Sequence, residues 1–287
     1  MLDSANITLA GDWAKPVNTL IEKISDATGT LLAPWQIKRV ATANANANKT
    51  KALADIEITE LQQRAMFRVL QEETKRQENI ESISKKSFED IKEEATPEDI
   101  DSDWLSNFFD KCKNISDDEM QEQWSRILSS EANQPGKFSK KTIEVMYQLD
   151  RNDAELFKNL CTFCWFNNGS PLVLINEYNN DIFKNQNINF TTLSHLQDLG
   201  LINFQSVSKF NLTFSVNQII LGYFEKYHVL NFKDGDKNQL VTGVVNFTKA
   251  GEQLFKISSP TYNSEYYDYI LEEWNKVGYE ITILPTQ

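Results

Sequence analysis

The sequence predicts an α+β fold that is mainly α-helical, with a long helical N-terminal half followed by a winged-helix-like α+β C-terminal domain. Between residues 35 and 95 the chain contains neither proline nor glycine, which favours one long helix or a pair of helices. Apolar residues recur at three- and four-residue steps through much of the first 166 residues. After Asn167, short apolar runs and two-residue alternation indicate strands separated by turns.

These changes of pattern divide the chain into three predicted segments. Residues 1–98 form an amphipathic helix and a long helical segment, for which we expect a role in oligomerisation. Residues 99–166 form a helical domain, and residues 167–287 form the winged-helix-like α+β domain. At 287 residues the chain is long enough for more than one hydrophobic core.

The composition excludes global disorder and argues against nucleic-acid binding. Hydrophobic residues make up 40% of the chain, which is enough to build a core. The net charge is −12, whereas proteins that bind duplex DNA carry a basic stripe or a high pI. Three cysteines, and an N-terminus without a basic or long apolar run, predict a cytoplasmic protein rather than a secreted one.

The first helix is predicted over residues 13–32, with Gly29 weakening its last turn and Pro34 ending it. Its apolar positions recur at helical spacing and form one face: Val17, Leu20, Ile21, Ile24, Leu31 and Leu32. Two interpretations stay open for this face, which either packs on another helix or enters a membrane interface. The polar face lacks the abundant lysine and arginine that strengthen membrane binding.

The long helical segment carries a narrow apolar stripe. Four of its members are spaced by eleven residues, which corresponds to three helical turns: Ile58, Val69, Ile80 and Ile91. Further apolar residues widen the stripe near its beginning: Leu53, Ile56, Leu61, Ala65, Met66 and Leu70. A polar helix with one thin stripe is rarely stable alone, so we expect it to pair with another copy of the chain. The alternative is a solvated helix that spans two domains.

The segment over residues 99–166 is predicted to contain several short helices. Three acidic residues, at 99, 101 and 103, precede an apolar face formed by Trp104, Leu105, Phe108 and Phe109. A capping box is predicted from Ser116 to Glu119, and a further helix begins at Asp153. Cys161 and Cys164 lie in an apolar run, so we predict that both thiols are buried in a helical core.

The C-terminal segment is predicted to alternate helices and strands in a winged-helix-like order. A helix over residues 191–199 is followed by a strand, and residues 234–236 are predicted to form a hairpin turn. Thr248 is expected to cap the next helix, and a helix over residues 264–276 precedes a last strand. The helix over residues 191–199 has the position of a recognition helix but carries no lysine or arginine, which favours a protein partner over DNA.

No catalytic, metal or cofactor site is predicted. His195 and His228 are the only histidines, and neither belongs to a visible Ser–His–Asp or Cys–His set. The spacing of Cys161 and Cys164 supplies at most half of a zinc site. The acidic residues at 99, 101 and 103 have the oxygen ligands that a divalent cation prefers, but we favour a helix start as their explanation.

The central block of the chain resembles a bacterial family described as a domain of unknown function and, more distantly, abortive-infection alpha-type proteins. The resemblance rests on these stretches: Asp118-Glu119-Met120-Gln121, Trp124-x-x-Ile127-Leu128, Glu131-Ala132-Asn133, Pro135-Gly136-x-Phe138-Ser139-Lys140 and Leu149-Asp150-x-x-Asp153-Ala154-x-Leu156-Phe157. Weaker similarities lie at Leu32-Ala33-Pro34-Trp35-Gln36-Ile37, Leu199-Gly200-Leu201-Ile202 and Thr248-x-x-Gly251. The resemblance implies a role in antiphage defence and supplies no catalytic residue.

We therefore expect a non-enzymatic, cytoplasmic defence protein that forms homo-oligomers through its N-terminal helices. A phage protein is the expected trigger, and the inner membrane is the expected surface to which the oligomer is recruited. Two alternatives stay open: a regulatory or adaptor protein whose winged helix binds protein or DNA, and an unrecognised metal-dependent nuclease. The residues expected at an interface or membrane are the six of the first helix and the four of the eleven-residue stripe.

Overall fold

The computed structural model describes residues 14–29, 59–232 and 238–285 of the chain. The chain divides into two compact units, Met1–Lys140 and Lys141–Gln287. The first unit is helical, and the second mixes helices and strands, so the predicted α+β class with a helical N-terminal half is confirmed. The division into three segments stays a prediction.

The described part of the first unit is built from helices only. Its elements are α1 (Ala14–Thr28), α2 (Glu60–Phe88), a 3₁₀ helix (Pro97–Asp99), α3 (Ser102–Cys112) and α4 (Asp118–Asn133). Helix α2 packs against α4, and α1 packs against α3 and the 3₁₀ helix. Aromatic side chains fill the core, where the ring of Phe108 lies 5.3 Å from that of Trp104 and 5.2 Å from that of Trp124 between centroids.

Two helix boundaries in the first unit differ from the prediction. Helix α1 ends at Thr28 rather than at residue 32, because Gly29 adopts a left-handed conformation with a φ of +65°. Helix α4 is capped by Asp117, whose side chain accepts a hydrogen bond of 2.9 Å from the N–H of Met120, so the predicted capping box at Ser116 is wrong.

The second unit contains six helices and nine strands among its described residues. The helices are α5 (Lys140–Gln148), α6 (Arg151–Cys161), α7 (Asp181–Lys184), α8 (Phe190–Asp198), α9 (Lys249–Phe255) and α10 (Ser264–Val277). The strands are β1 (Cys164–Asn167), β2 (Ser170–Val173), β3 (Ile202–Phe204), β4 (Phe210–Phe214), β5 (Gln218–Tyr223), β6 (Lys226–Asn231), β7 (Asn238–Gly243), β8 (Val245–Phe247) and β9 (Glu280–Ile283).

The central strands of this unit pair as a nested antiparallel ribbon. Strand β3 pairs with β8, β4 pairs with β7, and β5 pairs with β6. The innermost pair then joins a five-stranded sheet in the order β2-β1-β5-β6-β9. Strands distant in the sequence therefore meet, since β1 pairs with β5, and β6 pairs with β9.

A tight hairpin occurs at a place that the sequence analysis did not identify. Strands β1 and β2 are joined by Asn168 and Gly169, whose φ angles of 48° and 80° are those that a two-residue hairpin turn favours. The predicted hairpin at residues 234–236 is wrong, because the flanking strands β6 and β7 pair with other strands. Residues 233–237 themselves lie outside the described residues.

The start of helix α6 and the position of Cys164 in strand β1 both differ from the prediction. Helix α6 begins at Arg151 and is capped by Asp150, with Asp153 completing the capping box from the third helical position. Cys161 is the last residue of α6, whereas Cys164 is the first residue of β1, so a helical core for both thiols is wrong. Both side chains are nevertheless buried, as expected.

Candidate functional site

The C-terminal half of α2 is anchored in the first unit by a buried polar network. The side-chain amide of Asn79 donates a hydrogen bond of 2.8 Å to the carbonyl of Lys113. Gln121 of α4 donates to the side-chain oxygen of Asn79 across 3.1 Å and accepts from the hydroxyl of Ser82 across 2.7 Å. Because buried polar groups are costly to leave unpaired, this network fixes where α2 meets α4.

The N-terminal half of α2 extends beyond this anchor and exposes large apolar side chains. Leu61 is 69% exposed, Phe67 62%, Val69 47% and Met66 39%. Together with Ala65 and Leu70, three of these residues form what we call the α2 stripe: Leu61, Ala65, Met66, Val69 and Leu70. Large exposed apolar patches on soluble proteins mark interaction sites.

The α2 stripe lies on the face that is buried further along the same helix. Eighteen residues make five turns at 3.6 residues per turn, so residues eighteen apart point in the same direction. Ala65 therefore points in the same direction as the buried Ile83, and Val69 points in the same direction as the buried Ser87. In the C-terminal half this face packs on the protein, whereas in the N-terminal half it is exposed.

Local interactions hold the exposed half of α2 in helical form. Thr59 and Gln62 form a capping box at its start, with the N–H of Thr59 donating to the Gln62 side chain across 2.9 Å. Arg68 pairs with Glu72 four residues later at 2.7 Å, an arrangement that stabilises an isolated helix. The stripe is therefore presented on a preformed helix.

Charged and apolar residues are found on both sides of Val69 around α2. At about 100° per residue, Arg68 and Glu72 fall roughly 100° and 60° to one side of Val69. Leu70 and Met66 fall about 100° and 60° to the other side. Phe67 lies on the opposite face of the helix, about 160° from Val69. Leu61 and Ala65 fall about 80° and 40° on the side of Arg68 and Glu72, and Glu73 falls about 40° on the other side, so both flanks mix charged and apolar residues.

The structure separates the members of the predicted eleven-residue stripe. Val69 belongs to the exposed α2 stripe, whereas Ile80 is buried inside the first unit. Ile91 lies beyond the end of α2 at Phe88, so its predicted place on the same helix is wrong. Ile58 lies outside the described residues. Of the four, the described part of the chain leaves Val69 on an exposed helix face.

The predicted face of the first helix is already covered by the protein. Val17, Leu20 and Ile24 are buried, and Ile21 is half-buried. The ammonium of Lys23 donates to the carbonyl of Ile100 across 2.7 Å and ties α1 to the 3₁₀ helix region. Contact of this face with a membrane or a second chain would require α1 to leave its site, and that role stays a prediction. Leu31 and Leu32 lie outside the described residues.

The structure brings one histidine and one carboxylate together that the sequence analysis left apart. The Nε2 atom of His195 on α8 lies 2.6 Å from Oδ1 of Asp153 on α6. The other oxygen of Asp153 accepts a hydrogen bond of 3.0 Å from the N–H of Asp150. Since the two residues are 42 positions apart, no local sequence pattern reveals the pair. We assign a structural role to this pair, which joins α6 to α8.

The second histidine sits in an aromatic cluster at the innermost turn of the ribbon. His228 is buried, and its Nε2 atom lies 2.9 Å from the hydroxyl of Tyr267. The ammonium of Lys226 lies 4.1 Å from the centroid of the Tyr267 ring and donates to the hydroxyl of Tyr262 across 2.9 Å. This hydrogen bond raises the pKa of Lys226. The rings of His228 and Tyr267 both pack against Trp165, so the cluster ties β6 and α10 to β1.

The cysteines and carboxylates do not assemble into a described reactive centre. Burial raises the pKa of the Cys164 thiol well above its usual value, which keeps it in the unreactive thiol form. Among the described residues, no group of three or more His, Cys, Asp or Glu side chains is placed to hold a metal ion. Within the same ranges, no helix has the length and apolar character needed to cross a bilayer.

Comparison with known proteins finds one family. Residues 63–271 match the profile of a family described as protein of unknown function DUF2806. The match covers most of the exposed half of α2 and nearly all of the second unit. No curated protein and no solved structure gives a significant match.

Proposed function

The chain belongs to the DUF2806 family of proteins of unknown function, and we propose that it is a non-enzymatic assembling protein that associates with further copies of itself through the α2 stripe. The observation that carries the proposal is the continuity of one helix face, which is buried near Ile83 and exposed near Val69. A helix that is apolar on an uncovered face gains stability by packing on a partner.

We place no reaction in this proposal. The described histidines are engaged with Asp153 and Tyr267, and both Cys161 and Cys164 are buried. The alternative of a metal-dependent nuclease has no supporting group of ligands among the described residues. Nucleic acid that is degraded on incubation with the protein and Mg²⁺ or Mn²⁺ would contradict a non-enzymatic function.

Antiphage defence is the biological setting that we propose for the assembly. It rests on the similarity of the central stretches to abortive-infection alpha-type proteins. In this setting a phage protein triggers assembly in the cytoplasm, and the assembly acts at the inner membrane. Membrane contact through α1 would need release of its buried face, which includes Leu20 and Ile24.

The decisive experiment measures the solution mass by light scattering after size exclusion, over a range of protein concentrations. The wild type is expected to show masses that are multiples of 33.1 kDa. Val69→Glu places a charge on the α2 stripe and should give the monomer without loss of folding. Phe67→Glu is the control, since Phe67 is also a large apolar residue, more exposed than Val69, but lies on the opposite face of α2.

Two outcomes would contradict the assembly proposal. The first is a wild type that stays monomeric at all concentrations and in the presence of phage lysate. The second is an equal effect of Val69→Glu and Phe67→Glu, which would indicate non-specific adhesion. For the defence setting, plaque formation is compared in cells expressing the wild type or Val69→Glu, and leakage of dye from liposomes tests the membrane step.

A regulatory or adaptor protein is the second candidate, favoured by the order of elements around α8. Helix α8 is followed by the antiparallel pair β3 and β8, which is a winged-helix-like order. The sequence of α8 contains no lysine or arginine, so a protein partner is favoured over DNA. Binding to duplex DNA that weakens steeply with added salt would instead favour the DNA version.

A further inference from the structure

We infer that the outer edge of β9 binds an extended, basic segment of a partner protein, which joins the five-stranded sheet as an added strand. This surface lies in the second unit, and the inference does not depend on assembly through the α2 stripe. It rests on the backbone groups that β9 turns outward, on the apolar side chains beside them and on the charge around the edge.

Strand β9 ends the sheet with backbone groups that point away from it. Among the described residues, β6 is the one strand that pairs with β9. The N–H of Leu284 donates to the carbonyl of Tyr227 across 2.8 Å, so in the same antiparallel ladder Thr282 also directs its N–H and carbonyl towards β6. Ile281 and Ile283 alternate with these residues and direct theirs outward. An edge of this kind is the template to which an added strand binds.

The side chains of the same two isoleucines give the edge an apolar side. Ile283 lies opposite His228 and Ile281 lies opposite Leu230, so both isoleucines are on the face of the sheet that carries His228. Helix α10 packs on this face, because the hydroxyl of Tyr267 lies 2.9 Å from His228. Ile283 is nevertheless 61% exposed. Every second side chain of an added strand would therefore bury apolar surface against it.

Helix α10 borders the edge of β9 with an apolar residue and a carboxylate. Its Tyr266 donates to the carbonyl of Phe163, next to β1, whereas Tyr267 contacts β6. Turning in the same direction around the helix reaches Leu271 about 40° beyond Tyr267, and Asp268 about 100° beyond it. Leu271 is half-buried and Asp268 is exposed. These two residues therefore lie on the side of α10 that faces β9.

The charge around the edge favours a basic partner. Glu280 on β9 is an exposed carboxylate, as are Asp268 and Glu272 on α10. The ammonium of Lys226 on β6 lies over the ring of Tyr267, so it is held within the aromatic cluster. A segment that alternates apolar residues with lysine or arginine complements this surface. A second copy of β9 would instead bring carboxylates towards carboxylates, which disfavours a second copy of the chain as the occupant.

Peptide binding to the full-length chain tests the inference. The probe is a fluorescent peptide with blocked ends in which lysine and valine alternate, and fluorescence anisotropy measures its affinity. A peptide of the same composition with contiguous valines is the matched control, because it carries the same charge without the alternation of a strand. The alternating peptide is expected to bind about tenfold more tightly than the control.

Two variants test whether the peptide lies on β9. Ile283→Pro removes an outward N–H and leaves the N–H groups that pair with β6, so it should weaken binding about tenfold. Glu280→Lys should weaken binding about threefold or more. Glu252→Lys is its matched control, since Glu252 is exposed on α9, which packs on β1 and β8. The same change of charge there should alter binding by less than about twofold.

Amide hydrogen exchange gives an independent measurement. In a chain with isotopically labelled isoleucine, the alternating peptide should slow exchange at Ile281 and Ile283. Circular dichroism checks that each variant keeps its sheet, and if Ile283→Pro loses it, Glu280→Lys and Glu252→Lys decide the test.

Three outcomes would overturn the inference. The first is no detectable binding of the alternating peptide. The second is equal binding of both peptides, or equal weakening by Glu280→Lys and Glu252→Lys, which would indicate general attraction to an acidic protein. The third is a wild-type dimer that Ile283→Pro converts to the monomer, because a second copy would then occupy the edge.

Discussion

The buried carboxylate of Glu131 accepts a hydrogen bond of 2.6 Å from the backbone N–H of Gly136. Its second oxygen accepts a hydrogen bond of 3.0 Å from the N–H of Phe138. Burial raises the pKa of this carboxyl, and the backbone N–H groups around it oppose that rise. A single side chain at the end of α4 therefore organises the turn that follows the helix.

Glu131→Ala is expected to lower the free energy of unfolding by about 2–4 kcal/mol, because the backbone N–H groups of Gly136 and Phe138 lose their charged acceptor. Urea denaturation followed by circular dichroism measures the change. Glu94→Ala is the control, since Glu94 is exposed, and it should change stability by less than about 0.5 kcal/mol. Equal losses for the two variants would show that Glu131 has no organising role.

Stability is expected to fall with pH below about 6.5 because of His228. Burial lowers the pKa of His228 in the folded protein, so the unfolded chain binds the proton first as the pH falls. Above the pKa that His228 has in the unfolded chain, the residue is neutral in both states and costs the folded state nothing. Below that pH the unfolded chain gains the proton first, so the free energy of unfolding declines until the pH reaches the pKa of His228 in the folded protein. Denaturation curves between pH 7.5 and pH 5 should show a weaker decline in His228→Gln than in the wild type.

His195→Asn is the control for this pH dependence, because the chain has two histidines and only His228 is buried. The His195→Asn variant should still show the part of the pH-dependent loss of stability that His228→Gln removes. If the wild type and His228→Gln lose stability equally over this range, His228 does not cause the effect.

Gly251→Ala is expected to lower the free energy of unfolding by about 3 kcal/mol, the upper range for an overpacked site. A Cβ atom at this position would lie 1.9 Å from the carbonyl oxygen of Leu201. In an open helix the same change would be stabilising, since alanine is the better helix former. The sign of the change in thermal unfolding therefore tests whether α9 approaches the backbone of Leu201 so closely. An unchanged or higher melting temperature would refute the close approach.

Short-range chemistry allowed much of the helical structure to be predicted. Trp104 and Phe108 recur at helical spacing and are buried in α3, and Thr248 caps α9 as expected. The end of α2 was not predictable in the same way. The helix ends at Phe88, but no glycine or proline lies between Phe88 and Ile91 to mark that end. The helical spacing of apolar residues therefore extended the predicted helix as far as Ile91.

The strand pairing was harder to predict because it depends on distant contacts. Asn168 and Gly169 have the strongest local hairpin chemistry and do form a turn, whereas the Asp-Gly at residues 234–235 lies between strands that pair elsewhere. Local turn propensity cannot show that β6 prefers β5 and β9 to β7.

The candidate site was predictable in part. Val69, Leu61, Met66 and Leu70 were recognisable as a helix face from their spacing. The sequence could not show that this face is covered from Asn79 onwards and open before it, because that depends on where α4 and its preceding loop dock.

The nested pairing of the second unit has a consequence for synthesis on the ribosome. Strand β1 cannot pair with β5, and β6 cannot pair with β9, until the later strand of each pair has been synthesised. The five-stranded sheet is therefore complete only after Ile283 has left the exit tunnel of the ribosome. Such distant contacts slow folding and leave strand edges unpaired in the meantime. The helical first unit, whose contacts lie within residues 14–140, can fold while the second is still being made. If copies assemble through the α2 stripe as proposed, the stripe is displayed on nascent chains, and the products of neighbouring ribosomes on one messenger RNA would pair before either chain is complete.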